Sequence, residues 1–445
     1  MSGVGPGGSR TTGAAWVNWA GNQRARPAAI AQPRSVDELG VVLRDAAGSG
    51  QRVRPVGSGH SFTGLAVTDG VLLSLEHLSG VTAVDRDTHR VRVLGGTPLH
   101  ELNLDLDAFG LALPNLGDID RQSISGAIAT GTHGTGARLQ GIASAVSGLT
   151  LALAGGELLS CSADHHPDVF QAARVGLGAL GVVTEVELQC VPAFRLRASE
   201  RGESLVGVLE RIQQEADLND HLDLHWFPHT DRVLVKRNNR VDDDDPGRPL
   251  PRWRAWLDDE LLANRLFEVV NRASARLPGI VPRLNQATSR ALGAREYTDV
   301  SWRVFCSRRD VRFRESEYAV PRATVADVVL AVRDWIARHD VALPFPVEVR
   351  FIAADDIWLS TAYERDNAYV AVHQYHRMQD GGLFAAFEAI VAEHQGRPHW
   401  GKLHTLGRDR LAALYPRFDD FLAVRERLDP QRLLGNAHLE RLLGA

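Results

Sequence analysis

The sequence predicts an α+β fold divided into two domains. Three observations carry this reading. At 445 residues the chain is longer than one typical hydrophobic core supports. Short β-rich runs and helical runs alternate with mixed hydrophobic periods and no internal repeat. The first block of this pattern ends at Pro192, after which a second series begins. The composition, 44% hydrophobic and 24% charged, is that of an ordinary globular protein.

Residues 1–14 are rich in Gly, Ser and Thr, lack an apolar core segment and read as a disordered tail rather than a secretory signal. From there to Pro192 the elements follow in order. Ser35-Val36-Asp37-Glu38 is a capping box that opens a helix through Ala47. Strand-like runs follow at Arg52–Val56, Val71–Leu75, Val81–Val84 and Val91–Gly95, then a helix from Leu99 to Phe109. Ser123 to Ala129 is a small-residue helix that lets a backbone or flat ligand pack closely, and Thr130-Gly131-Thr132-His133-Gly134 continues it as a loop. Strands at Val146–Ala154 and Val182–Val191 complete the block. Residues 193–395 form the second domain, with strands at His221–Phe227, Arg232–Lys236, Trp302–Phe305, Pro346–Phe351 and Ala368–His373, and a helix at Val325–Arg338 capped by Thr324 and Asp327. The acidic run Asp242–Asp245 reads as a solvated loop.

Several function classes are disfavoured by composition. A net charge of −5 with interspersed signs lacks the basic stripe of a nucleic-acid binder. Cys161, Cys190 and Cys306 are distant, odd in number and without a Cys-x-x-Cys pair, so no disulfide framework or metal site is expected and a reducing cytoplasm fits. The most apolar long helix candidate, Trp256 to Leu277, is interrupted by Asp258, Asp259, Glu260, Arg265, Glu268, Arg272 and Arg276, so membrane insertion is not expected. Gly176-Leu177-Gly178-Ala179-Leu180-Gly181 matches a dinucleotide fingerprint letter for letter, but a helix precedes it and a strand follows. The order is inverted relative to the strand–turn–helix that fingerprint needs, which rejects a Rossmann site.

The most informative stretch is Arg54-Pro55-Val56-Gly57-Ser58-Gly59-His60-Ser61-Phe62. Gly57 and Gly59 flank one small residue, so the backbone there can approach a large ligand without Cβ clashes and offer N–H groups to anionic oxygens. Further on, Glu348 and Arg350 lie two apart in Pro346-Val347-Glu348-Val349-Arg350-Phe351, sharing one strand face while Val347 and Val349 pack on the other. Such alternation also describes a solvent-facing ion pair.

Taken together, Gly57–Ser61, Leu116-Gly117-Asp118, Ala129–Gly136 and Leu177–Val183 resemble the FAD-binding domain of the vanillyl-alcohol oxidase superfamily. Leu188–Pro192, Trp226–Thr230, Pro346–Phe351 and Arg397-Pro398-His399-Trp400-Gly401-Lys402 are similar to its aldonolactone oxidoreductase branch, which holds the gulonolactone and arabinonolactone oxidases and, more distantly, alditol oxidases. The resemblance runs from about Trp16 to Leu443. It implies a two-domain flavoprotein: an FAD-binding domain over 15–192, a sheet-and-helix cap over 193–395 and a C-terminal segment, 396–445, returning to the FAD domain. FAD contacts are implied for Val56, Gly57, Ser58, Gly59, His60, Ser61, Gly117, Asp118, Ser123, Gly126, Thr130, Gly131, Thr132, His133, Val182, Val183 and His399, with a covalent bond from His60 to the flavin.

The implied reaction moves a hydride from a carbinol carbon of a sugar-derived lactone to flavin N5, with O2 as acceptor and H2O2 as product. A lactone dehydrogenase using another acceptor, or an oxidase of polyols, are the alternatives. By the same resemblance Glu348 accepts substrate hydroxyls, Arg350 meets substrate and reduced flavin, and Lys402 reaches the substrate hydroxyl or the flavin pyrimidine edge. His373 contacts substrate if its strand pairs with that of Glu348; a satisfied core histidine is the other reading. Gly117 leaves room for O2 near the flavin C4a–N5 edge, though Gly117-Asp118 also reads as a plain turn. Tyr375, where alditol oxidases carry a smaller threonine, and the loop around Asp242 are the expected seats of specificity.

Overall fold

The computed structural model describes residues 9–242, 247–251, 253, 264–307 and 309–445. Three sheets organise them. A four-stranded sheet runs in the order Ser9–Thr11, Ala29–Gln32, Val71–Ser74, Val53–Val56, with its last three strands parallel. A five-stranded antiparallel sheet has the order Leu158–Ser162, Val146–Ala152, Val182–Gln189, Arg90–Leu94, Val81–Asp85. The third is an eight-stranded antiparallel sheet in the order Arg295–Val300, Arg195–Ser204, Arg232–Arg240, His221–Trp226, Val347–Ile352, Asn367–Tyr375, Phe313–Pro321, Arg397–Pro398.

Local chemistry explains the helices that flank these sheets. Ser35 is extended and its Oγ accepts the Glu38 N–H at 3.1 Å, while Glu38 Oε2 reaches back to the Arg34 N–H at 2.7 Å, so Val36–Gly48 starts as its capping box predicts. The pair Thr324–Asp327 does not cap. Thr324 has φ −96° and ψ 1°, and its hydroxyl donates to Pro321 O at 3.0 Å instead of accepting from the helix Val325–His339.

The core of the five-stranded sheet extends into the C-terminal helices. Leu411, Tyr415, Phe418, Phe421, Leu439 and Leu442 pack with Leu99, Leu102, Ile124 and Val186. Ile357, Trp358, Leu359 and Tyr363 enter the same core from the loop between the central strands of the large sheet. The large sheet buries Val347, Val349, Phe351, Val370 and Val372 against helices that contribute Val328, Val332, Ile336 and Phe387. No helix among the described residues is long and apolar enough to cross a membrane.

Several expectations need correction. Residues 1–8 of the expected tail lie outside the described residues, but Ser9–Thr11 is an edge strand, antiparallel to Ala29–Gln32, so the tail does not extend to residue 14. Trp302–Phe305 is not a strand. Ser301–Phe305 is a helical turn whose Trp302 and Phe305, three residues apart, face the same core. Arg195–Ser204, Arg295–Val300 and Phe313–Pro321 are strands that the apolar pattern does not mark, because charged residues occupy them on both faces. Of the expected helix Trp256 to Leu277, Phe267–Arg276 is helical, while 256–263 lie outside the described residues, as do 243–245 of the acidic run.

Candidate active site

Two cavities meet at the glycine turn. The first, about 540 Å³, is lined by Val56, Gly57, Ser58, Gly59, His60 and Ser61, by Ser123, Gly126 and Thr130, and by Gly176 to Val183 without Ala179. The strand Val53–Val56 delivers the turn to this wall, and Ser123 caps the helix Ile124–Ala129 opposite it by accepting the Gly126 N–H at 3.3 Å. The glycines are required. A Cβ on Gly57 would collide with Ser123 Oγ, and Gly59 sits at φ +70° with a Cβ position 3.3 Å from the Trp16 ring. The N–H groups of Ser58, Gly59, His60 and Ser61 have no hydrogen-bond partner among the described residues. A narrow glycine cradle with successive free N–H donors fits an elongated ligand with an anionic middle, which is the shape and charge of FAD.

The loop Gly176–Gly181 lines this cavity although it is no Rossmann turn. Leu177 and Gly178 turn it with φ of +55° and +62°, and it leads into Val182 and Val183, both on the cavity wall. The sequence excludes this segment only as a Rossmann turn; the resemblance carried by Leu177–Val183 is the signal that marks it.

The second cavity, about 550 Å³, shares His60, Ser61, Gln122 and Thr130 with the first. Into it point Gly117, Asp118, Thr132, His133, Glu348, Arg350, His373, His399 and Lys402. Gly131 does not line either cavity; at φ +75° it turns the chain so that Thr132 and His133 do. The strand pairing Glu348↔Ala371 places His373 on the Glu348 face, so the residue is a cavity histidine. Tyr375 is different. It is fully buried with Val311, Phe345 and Met378, and its hydroxyl donates to Glu268 at 2.8 Å, so it does not line the second cavity.

Charge pairing dominates the second cavity. Arg350 Nη2 donates to Glu348 Oε2 at 2.6 Å and lies 3.4 Å from Asp118 Oδ2. Arg309 Nη2 reaches Asp118 at 3.0 Å and Glu348 at 4.0 Å. Lys402 donates to Glu315 and stands 3.9 Å from Glu317. His373 Nε2 meets Glu315 at 3.3 Å, and His133 Nε2 meets Glu317 at 3.4 Å while its ring stacks on Tyr369 at 3.6 Å. Arg309, Glu315 and Glu317 were missed by the sequence reading. Glu315 and Glu317 are two apart in Phe313–Pro321 and share a face, the same signal that exposed Glu348 and Arg350.

Burial by itself would raise the carboxylate pKa values and lower the cationic ones; the pairing overrides it for several groups. Arg350, then His225 and His373, hold Glu348 well below the usual carboxylate range. His133 and Lys402 do the same for Glu317, while Glu315 and Glu317 raise Lys402. Glu315 and Glu348 raise His373. Two imidazoles are instead kept neutral: burial, with Lys402 and Arg121 nearby, pushes His60 down to about 4, and burial pushes His399 down to about 3. His133, Glu317 and His399 each bring a ligand-type atom within 4.8 Å of the others. Lys402 stands 3.9 Å from Glu317, and His399 Nδ1 accepts the Gly401 N–H at 3.1 Å.

A model of the D-arabinono-1,4-lactone oxidase family matches residues 186–442, and a model of an FAD-binding domain matches residues 27–162. L-gulono-1,4-lactone dehydrogenase of Mycobacterium tuberculosis is 43% identical over 429 residues, covering 96% of this chain and 99% of that protein. L-gulonolactone oxidase of Bos taurus is 34% identical over 437 residues, covering 97% and 98%. The crystal structure of cholesterol oxidase from B. sterolicum superposes with a TM-score of 0.83 at 18% identity, covering 98% and 97%, which establishes the fold.

Proposed function

Because this chain belongs to the D-arabinono-1,4-lactone oxidase family, an FAD-dependent one, we propose that it oxidises an alcohol group of a sugar-derived aldonolactone and passes the electrons to O2, giving H2O2. The observation that carries this reading is the polar cavity floored by Glu348, Arg350 and Lys402, continuous at His60 with the glycine cradle. Bound FAD supplies the hydride acceptor. Ionised Glu348 accepts hydrogen bonds from lactone hydroxyls and so orients the carbinol carbon. Arg350 and Lys402, both cationic, oppose the negative charge that reduction brings into the cavity. Trp19, Phe62, Phe313 and Phe345 line one side and keep water from the reacting carbon.

Anaerobic mixing with L-gulono-1,4-lactone and with xylitol in parallel tests the substrate class. Bleaching of the flavin by the lactone supports the reading; bleaching by xylitol alone would make the protein a polyol oxidase. Slow reoxidation in air after bleaching would assign it a different electron acceptor.

His60 is the residue proposed to bond the flavin. It stands where the two cavities join, its ring stacks on Trp19 at 5.4 Å, and its neutral imidazole keeps a lone pair for bond formation. In His60→Ala the fluorescent band of the denatured protein on a gel disappears, while native protein still binds flavin through the remaining cradle. A fluorescent band persisting in this variant would place the bond elsewhere.

Gly117 is proposed to admit O2. A methyl group there would lie 3.2 Å from His133 O and 3.5 Å from Thr132 Cγ2, filling the space beside the cavity loop. Gly117→Ala is expected to slow reoxidation by about tenfold or more, a cost of about 1.4 kcal/mol in the barrier, and to leave flavin reduction by lactone unchanged. Unaltered reoxidation in stopped flow would remove Gly117 from the oxygen path.

A further inference from the structure

Two residues that no motif marks, Asp223 and His225, complete a closed figure with the Glu348–Arg350 pair. Strand His221–Trp226 pairs antiparallel with Val347–Ile352 so that Asp223 lies opposite Arg350 and His225 opposite Glu348. Directly opposed side chains on one sheet face are neighbours, as are alternate residues along each strand. The contacts run around the square without a break. Arg350 Nη2 donates to Glu348 Oε2 at 2.6 Å, His225 Nδ1 is 3.5 Å from Glu348 Oε1, His225 Nε2 is 3.2 Å from Asp223 Oδ2, and Arg350 Nε is 3.6 Å from Asp223 Oδ1. With His225 protonated, each corner has the opposite sign to both its neighbours.

We propose that Asp223 and His225 are positioning residues for the lactone-binding pair, and that the proton on His225 sets the affinity for lactone by holding Glu348 in place. The inference rests on the lactone-oxidising function proposed above. Three carboxylates, Asp118, Asp223 and Glu348, face two guanidiniums, Arg309 and Arg350, and a protonated His225 brings these ion-paired groups to neutrality. When His225 loses its proton, the neutral ring keeps one N–H, which can serve Asp223 or Glu348 but not both, and Glu348 faces uncompensated negative charge from Asp223. Its carboxylate then no longer holds one orientation toward the substrate.

The other charged groups around His225 do not replace that proton. From strand Arg195–Ser204, Glu200 is already paired with Arg295 at 2.7 Å. From strand Arg232–Arg240, Lys236 opposes protonation, but Asp223 and Glu348 outweigh it together with burial, so His225 titrates above the usual histidine value. A third cavity of about 320 Å³, lined by Asp223, Glu200, Lys236, Asn238 and Arg350, lies behind the square. It is polar and large enough for water, so protons can reach Asp223 without crossing the substrate cavity.

The test is anaerobic flavin reduction by L-gulono-1,4-lactone between about pH 6 and pH 9.5 in wild type, His225→Gln and Asp223→Asn, the span in which a raised histidine titrates. In the wild type the half-saturating lactone concentration rises by up to about tenfold per pH unit above the His225 pKa, while the limiting reduction rate holds within about twofold. His225→Gln keeps a hydrogen-bonding group but has no inflection, and Asp223→Asn moves the inflection to lower pH. Thermal melting gives a readout independent of turnover. A raised histidine stabilises the fold below its unfolded value near 6.5, and that contribution is lost as pH rises through the folded value. The melting temperature of the wild type therefore declines over this window more than that of His225→Gln. An inflection retained in His225→Gln, or unmoved in Asp223→Asn, overturns the proposal. A wild-type flavin that no lactone reduces at any pH defeats the lactone reading instead, and the melting comparison then still decides whether the square exists.

Discussion

Arg350→Ala retains bound flavin and loses its reduction by lactone. The guanidinium is buried, with 10% of its side chain exposed, and it answers three carboxylates: Glu348, Asp118 and Asp223. Burial alone would weaken its charge, yet Asp118 and Glu348 raise it well above even the ordinary arginine range, so it is cationic throughout the working pH range. Removing it deletes one of the cavity's cations and leaves the carboxylates unbalanced in a desolvated site. Loss of a single preorganised charge-stabilising donor costs about 10²–10³ in rate, and the unbalanced carboxylates add to that. A fall of about 10³-fold or more in the limiting rate of anaerobic reduction is therefore expected. Arg350→Lys, a point charge without the planar fork, should recover only part of it. Flavin absorbance stays at the wild-type level in both variants because no cradle residue is touched. Reduction within tenfold of the wild type in Arg350→Ala would sink the site assignment.

Arg54→Met is the most destabilising substitution expected on the cofactor side. Arg54 follows directly on the first buried residue of strand Val53–Val56 and is 2% exposed. Its guanidinium donates to Leu65 O at 2.7 Å, Gly178 O at 2.8 Å, Leu177 O at 3.0 Å and Leu434 O. These carbonyls belong to the segment after the glycine turn, the Gly176–Gly181 loop and the C-terminal region. One side chain thus fastens both walls of the first cavity to the end of the chain. Methionine fills much of the volume but leaves these carbonyls without their donor, at about 1–3 kcal/mol for each buried unsatisfied group that water cannot reach. A total of about 3–5 kcal/mol is expected, comparable with breaking a buried charged contact and a large share of a domain's stability. Denaturant titration followed by far-ultraviolet circular dichroism measures it, and flavin retention on desalting should fall in parallel. A loss under about 1 kcal/mol would mean that water satisfies the carbonyls in place of Arg54.

The features legible in the sequence are those encoded locally. The capping box at Ser35 works because the groups it joins are three and four residues apart. The glycines at 57 and 59 are legible because a position that cannot accept a Cβ leaves its mark on the residue itself. Glu348 and Arg350 stand out because strand alternation separates them from their apolar neighbours. Resemblance to a family added the chemistry that these residues serve.

Other parts were hidden for physical reasons. Trp302–Phe305 has the β-like composition of a strand and forms a helical turn, because its two aromatic side chains reach one core only at helical spacing. Phe313–Pro321 escaped notice because it is a strand that buries carboxylates, and its partners lie on other segments: Lys402 for Glu315, His133 for Glu317. Tyr375 shared a strand with His373 and yet turned to a separate apolar cluster, a choice set by the packing of Phe345 and Met378.

The sequence by itself determined the fold class, the glycine cradle and the Glu348–Arg350 pair, since each depends on side-chain type and short-range spacing. Only the tertiary structure decided which charges meet. The register of His221–Trp226 against Val347–Ile352 brings Asp223 and His225 to residues more than a hundred positions away, and no local pattern encodes that alignment. Electrostatic energy in a buried site depends on distances between segments, so the balance of charge in the second cavity exists only once the sheet has formed.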